Sequence, residues 1–116
     1  MTTKKAIGQR GSWFATVDGE ALPCVHKHWV KGLYHHDPFR RHEGGASDEK
    51  ILELATAVQQ LGRVILTDDD AELDTAGNVV GFKRKNYIAV FEVEDVTYSR
   101  EDGLRFRLAR RVCDLL

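Results

Sequence analysis

The chain has 116 residues, 42% of them hydrophobic, which is the size of one domain and enough apolar material for a core without staples. Charged residues make up 30%, yet the formal net charge is −1, so no global field draws the chain to nucleic acid or membrane and any electrostatic partner has to be met by a local patch. No apolar run approaches the roughly 20 residues that span a bilayer. The two cysteines, Cys24 and Cys113, form no spaced motif, and with no signal peptide they read as reduced thiols of a cytoplasmic protein.

Residues 1–11 are polar and basic and contain Gly8 and Gly11; they are expected to form a flexible N-terminal arm on a single globular domain of residues 12–116. Trp13-Phe14-Ala15-Thr16-Val17 is rich in strand formers, and Asp18-Gly19 is the pair a two-residue type I′ turn demands, so a hairpin with a return strand over residues 20–30 is expected. That turn sets Val17 opposite Glu20, Ala15 opposite Leu22 and Trp13 opposite Cys24. Continued alternation places His26, His28 and Val30 on the same face. Residues 32–45 read as irregular, because Pro38 removes a donor and restricts Asp37 while Gly44 and Gly45 loosen the exit.

A helix should begin with Ser47 or Asp48 as its cap, carry Ile51, Leu54, Ala55, Val58 and Leu61 on one face, and stop at Gly62. Residues 63–67 read as a short central strand and 68–81 as an acidic loop, with a small hairpin at Gly77-Asn78 as an option. The last two strands are expected over 87–96 and 104–112. Pairing Val93 with Phe106 and Phe91 with Leu108 puts four apolar residues on one face, and the same register sets Glu94 opposite Arg105 and Glu92 opposite Arg107 on the other. The fold class expected is α+β: a mainly antiparallel, strongly curled sheet or small barrel with one main helix.

All five histidines fall between His26 and His42, beside Cys24 and Asp37. Same-side residues on a strand repeat about every 6.8 Å, so His26 and His28 could share an ion, whereas the outer members of Cys24, His26 and His28 stand about 13–14 Å apart and could not. A zinc site would therefore combine His26 and His28 with members of the set His35, His36 and His42, or with Asp37. The plainer expectation is no metal, with the histidines hydrogen-bonded or lining a cleft. The run Asp68-Asp69-Asp70-Ala71-Glu72-Leu73-Asp74 fails as a calcium loop, since Leu73 stands where glycine and Val79 where glutamate are needed. Arg105 and Arg107 read as partners of the facing glutamates, whereas Lys83, Arg84, Lys85, Arg110 and Arg111 have no such partners and are better placed to meet an anion. Trp29, on the opposite strand face from His26 and His28, could stack on a base or planar ligand.

The segment Tyr87-Ile-Ala-Val-Phe-Glu-Val-Glu-Asp-Val96, with its basic return Leu104-Arg-Phe-Arg-Leu-Ala-Arg-Arg111, resembles the closing strands of PUA-like domains. The resemblance implies a curled β-barrel with flanking helices and a ligand of RNA or a modified base. The expected function is thus a small non-catalytic binding domain that recognises RNA, DNA or a modified base through a groove lined by Trp29, Tyr34, Arg40, Arg41, Lys83, Arg84 and Lys85. The alternatives are a small metalloprotein or metal-dependent enzyme using zinc on the histidine cluster, and a protein-interaction or inhibitor module.

Overall fold

The computed structural model describes residues 3–8, 12–38 and 48–115, with the backbone alone at 82, 84 and 85. Its elements run β1 (Thr3–Lys4), β2 (Ile7–Gly8), β3 (Phe14–Val17), β4 (Glu20–His26), a 3-10 turn (Lys27–Trp29), β5 (Val30–Lys31), β6 (Tyr34–Asp37), α1 (Asp48–Leu61), β7 (Arg63–Leu73), β8 (Val79–Ser99) and β9 (Gly103–Leu115). The described residues form an α+β fold with one α-helix and one mostly antiparallel sheet, in the order β2-β3-β4-β7-β8-β9-β6-β5. Among the described strands only β4 with β7 and β1 with β9 pair in parallel. No helix among the described residues is long and apolar enough to cross a membrane.

The first hairpin forms in the expected register, with Val17 opposite Glu20, Ala15 opposite Leu22 and the Cys24 amide donating to the Trp13 carbonyl at 2.8 Å. Asp18 and Gly19 both take positive φ, +52° and +78°, as a type I′ turn requires. The return strand is shorter than the sequence implies. It ends at His26, and the 3-10 turn that follows breaks the alternation meant to carry His26, His28 and Val30 along one face. The expected arm is also structured where it is described. Thr3–Lys4 pairs with Asp114 and Leu115 of β9, Ile7–Gly8 pairs with β3, and Ala6 between them is buried.

Helix α1 keeps its expected face: Ile51, Leu54, Ala55 and Val58 are buried, and Gly62 ends it at φ +64° with its amide on the Val58 carbonyl. Leu61, expected on that face, is instead exposed. The acidic loop expected over 68–81 is strand for most of its length. β7 continues to Leu73 and pairs with β8 from Val79 onward, leaving only 74–78 as a turn, where Asp74 accepts from the Ala76 and Asn78 amides. These bonds, that to Asn78 foremost, hold the Asp74 carboxyl below its usual pKa.

The β8–β9 register is displaced from expectation by two residues at Val93 and Glu94 and by three at Phe91 and Glu92. Val93 faces Leu108 and Glu94 faces Arg107, with Glu92 opposite Arg110 and Thr97 opposite Arg105. Asp95, at φ +55°, sits in an irregularity between Glu94 and Thr97 that inserts residues into β8, and the hairpin closes tightly at Ser99 and Gly103. The even displacement at Val93 and Glu94 preserves the faces there, so Val93, Phe106 and Leu108 are buried as expected; beyond the next irregularity Phe91 stands opposite Arg111 and is half-buried under its guanidinium.

Apolar residues gather on both sides of the sheet. One cluster joins Ala6, Ala15, Leu22, Cys24, Ile65, Val90, Cys113 and Leu115; the other joins Val25, Val64, Leu66, Val93, Leu104, Phe106 and Leu108 to Ala55 and Val58 of α1. Strand β7 serves both, Ile65 on one side and Val64 and Leu66 on the other, which is why the stretch reads as continuously apolar. Both cysteines are buried, and neither is in a disulfide.

Candidate functional site

The β5–β6 hairpin, β6 and the start of β9 carry the most site-like surface. Gly32, at φ +62°, turns the chain; Lys31 then faces Tyr34, and β6 lies antiparallel on β9 with Tyr34 opposite Arg107 and His36 opposite Arg105. Directly opposed residues share a face, so Lys31, Tyr34, His36, Arg105 and Arg107 lie together on the outer side of the sheet. His35 and Asp37 alternate inward and are buried. Tyr34 is 67% exposed and Leu33 beside it 55%.

The cations of this face are mostly paired. Arg105 donates to Asp102 from both Nε (2.6 Å) and Nη2 (2.9 Å), and His36 Nε2 lies 2.7 Å from the Asp102 carbonyl oxygen. The Arg105 guanidinium keeps the Asp102 carboxyl below its usual pKa. Arg107 donates to Glu94 and lies 3.6 Å from Asp95. Lys31 has no ion-pair partner among the described residues.

The described members of the expected groove lie in different parts of the fold. Trp29 is half-buried in the 3-10 turn, its ring meeting His28 edge-on at 4.8 Å. Lys83, Arg84 and Lys85 lie on β8 about ten positions before Glu94, the residue level with Arg107 and Tyr34, so about 30 Å of strand separates them from the tyrosine. Arg40, Arg41 and His42 lie outside the described residues. Arg110 and Arg111, expected to be without partners, donate to Glu92 and Asp114.

The described histidines are likewise dispersed. His36 belongs to the outer face, and His28 to the 3-10 turn. His35 is buried flat against Phe106, ring centroids 4.2 Å apart, with its Nδ1 unpartnered among the described residues. Burial lowers its pKa to about 3; a hydrogen bond to the Leu104 backbone opposes the shift, and His26 and His36 add to it. His26 joins a different group, with its Nδ1 on Asp69 Oδ2, which also accepts from Thr67 Oγ1 at 2.7 Å. The Asp69 side chain is 1% exposed and its Oδ1 has no partner among the described residues. Composition alone could not have found this buried carboxylate: Asp69 sits in an acidic run that reads as solvated loop, and only the extension of β7 past Thr67 carries it beneath His26. Among the described residues no three His, Cys, Asp or Glu side chains come together as a metal site.

No family model, curated protein or solved structure matches this chain. Its function has to be argued from these surfaces alone.

Proposed function

We propose that the chain is a small non-catalytic binding domain whose outer β5–β6–β9 face takes single-stranded nucleic acid or a modified base. The observation that carries the reading is Tyr34: a large aromatic ring two-thirds exposed on a sheet face, with Lys31 and Arg107 in register on the strands either side. Bases stack on such a ring regardless of sequence, and cations beside it meet the phosphates. The resemblance of the β8–β9 segment to PUA-like domains supports the same ligand class. We read the sheet as strongly curled, a small barrel, a shape that suits the same ligand class; the pairing of residues 3–8 with β9 at one end and β3 at the other supports that reading. Two buried thiols outside any disulfide fit a cytoplasmic protein.

Because Arg105 and Arg107 already face carboxylates, stacking supplies most of the affinity and phosphate contacts little. Fluorescence anisotropy with labelled oligonucleotides of RNA and DNA tests this. The affinity should fall by about tenfold or more in Tyr34→Ala, the usual worth of one stacked base. It should vary only gently with salt, with a logarithmic slope near −0.7 if one phosphate is met by Lys31. Equal binding by wild type and Tyr34→Ala would remove the reading.

A further inference from the structure

Two glutamate–arginine pairs bridge β8 and β9, Glu92 with Arg110 and Glu94 with Arg107. They differ in what lies on the far side of the arginine. Arg110 has no β6 residue opposite it, whereas Arg107 has Tyr34, and Tyr34 in turn has Lys31 of β5. Lys31, Tyr34, Arg107 and Glu94 therefore form one row across four strands, about 4.8 Å from one to the next. The row lies on one face, as the Arg107–Glu94 side-chain contact requires.

The Arg107 guanidinium is held from two sides. Its Nη2 donates to Glu94 Oε2, and its Nε lies 3.6 Å from Asp95 Oδ2. Asp95 reaches it from the irregularity in β8, at φ +55°. Held so, the pair keeps a donor and an acceptor side by side: Arg107 Nη1 and Glu94 Oε1 make no hydrogen bond to a described residue, and the Glu94 side chain is 58% exposed. The Tyr34 ring makes no contact with another described ring. A stacked base on Tyr34 thus meets this pair along its edge, with Lys31 on the opposite side.

We propose that the row selects guanine from single-stranded nucleic acid. The inference rests on the reading of the Tyr34 face given above and adds base choice to it. Every base offers one donor beside one acceptor on its Watson–Crick edge, but guanine alone carries O6 followed by two donors, N1–H and the 2-amino group. O6 accepts from Arg107 while both donors meet the Glu94 carboxylate, giving three charge-assisted bonds where the other bases make two. The neighbouring phosphate falls to Lys31.

Fluorescence anisotropy tests this with the full chain and short labelled oligouridylates carrying one central guanine, adenine, cytosine or hypoxanthine, or none. The guanine probe should bind about fivefold to tenfold more tightly than the others, the worth of one added charge-assisted bond. Hypoxanthine, which lacks the 2-amino group, should bind like adenine. Glu94→Gln should bring guanine within about twofold of adenine. Glu92→Gln, the same exchange in the pair with no aromatic beside it, should leave the guanine-to-adenine ratio unchanged. Equal binding of all probes by the wild type, hypoxanthine binding like guanine, or a preference that survives Glu94→Gln each overturns the inference. If Tyr34→Ala still weakens every probe in those cases, the nucleic-acid reading stands without base choice. If Tyr34→Ala weakens none, or no probe binds the wild type, both fall.

Discussion

His35 is an imidazole held neutral inside a sheet, and the fold carries the consequence as a pH dependence. Its pKa is near 3 in the folded chain against 6.5 when unfolded, so between these values the unfolded state binds more protons and stability rises with pH. The full contribution is present above about pH 6.5 and is lost as the pH falls. Denaturant titrations at pH 7.5 and pH 5 should differ by about 2 kcal/mol from this group alone. In His35→Phe, which keeps a ring against Phe106, that part of the difference should vanish whatever happens to the baseline. An unchanged pH slope would mean that His35 protonates in place. Gly103 is the second residue on which the fold is unforgiving. It closes the β8–β9 hairpin at φ +87°, and an added Cβ would lie 2.6 Å from Pro38 Cα and 2.8 Å from Asp37 C, and press on the Asp37 carbonyl oxygen. Both the strained backbone and the collision with main chain oppose any side chain there. Gly103→Ala should cost about 3 kcal/mol or more, read as a drop in denaturation midpoint.

Among the elements, α1 contributes through a short stripe of four buried residues, and Leu54 is the largest test of it alongside Ile51. Leu54→Ala should destabilise by about 2–5 kcal/mol in equilibrium unfolding, since the surrounding sheet cannot collapse into the space. A loss well under 1 kcal/mol would mean the helix is held by something other than this face. The β8–β9 hairpin shows a different balance. Its outer face pairs Glu94 with Arg107 and Glu92 with Arg110, and the Arg110 guanidinium depresses the Glu92 pKa. These pairs are open to water and fix register more than they add stability.

For the molecule as a whole, the question is what residues 3–8 do. If they are part of the sheet, as their pairing with β9 and β3 indicates, deleting residues 1–8 removes Ala6 from the core, exposes Ala15 and Leu115 and frees two strand edges. Thermal or denaturant unfolding should then show a loss of more than about 1 kcal/mol. A dispensable tail would change it by less than about 0.5 kcal/mol.

Wherever the signal is local, the sequence by itself determined the outcome. Asp18-Gly19 sets the first hairpin because few other dipeptides accept positive φ twice, and the 3.6-residue spacing of Ile51, Leu54, Ala55 and Val58 determines the buried face of α1. The facing of Val93, Phe106 and Leu108 was legible too, since period-two alternation survives an even shift of register. The shift itself was not, because the irregularity at Asp95 depends on how β8 twists between two neighbours. Tyr34 was legible as a candidate ligand-binding residue, but not its exposure, which follows from β6 landing on β9 rather than within a core. The distance between Tyr34 and Lys83 was invisible in one dimension: both look like members of one basic, aromatic groove until strand lengths separate them. Only the tertiary structure decided that Asp69 goes beneath His26. A carboxylate in an acidic run is solvated by default, and what buries it is the reach of a strand whose length is set by its partners.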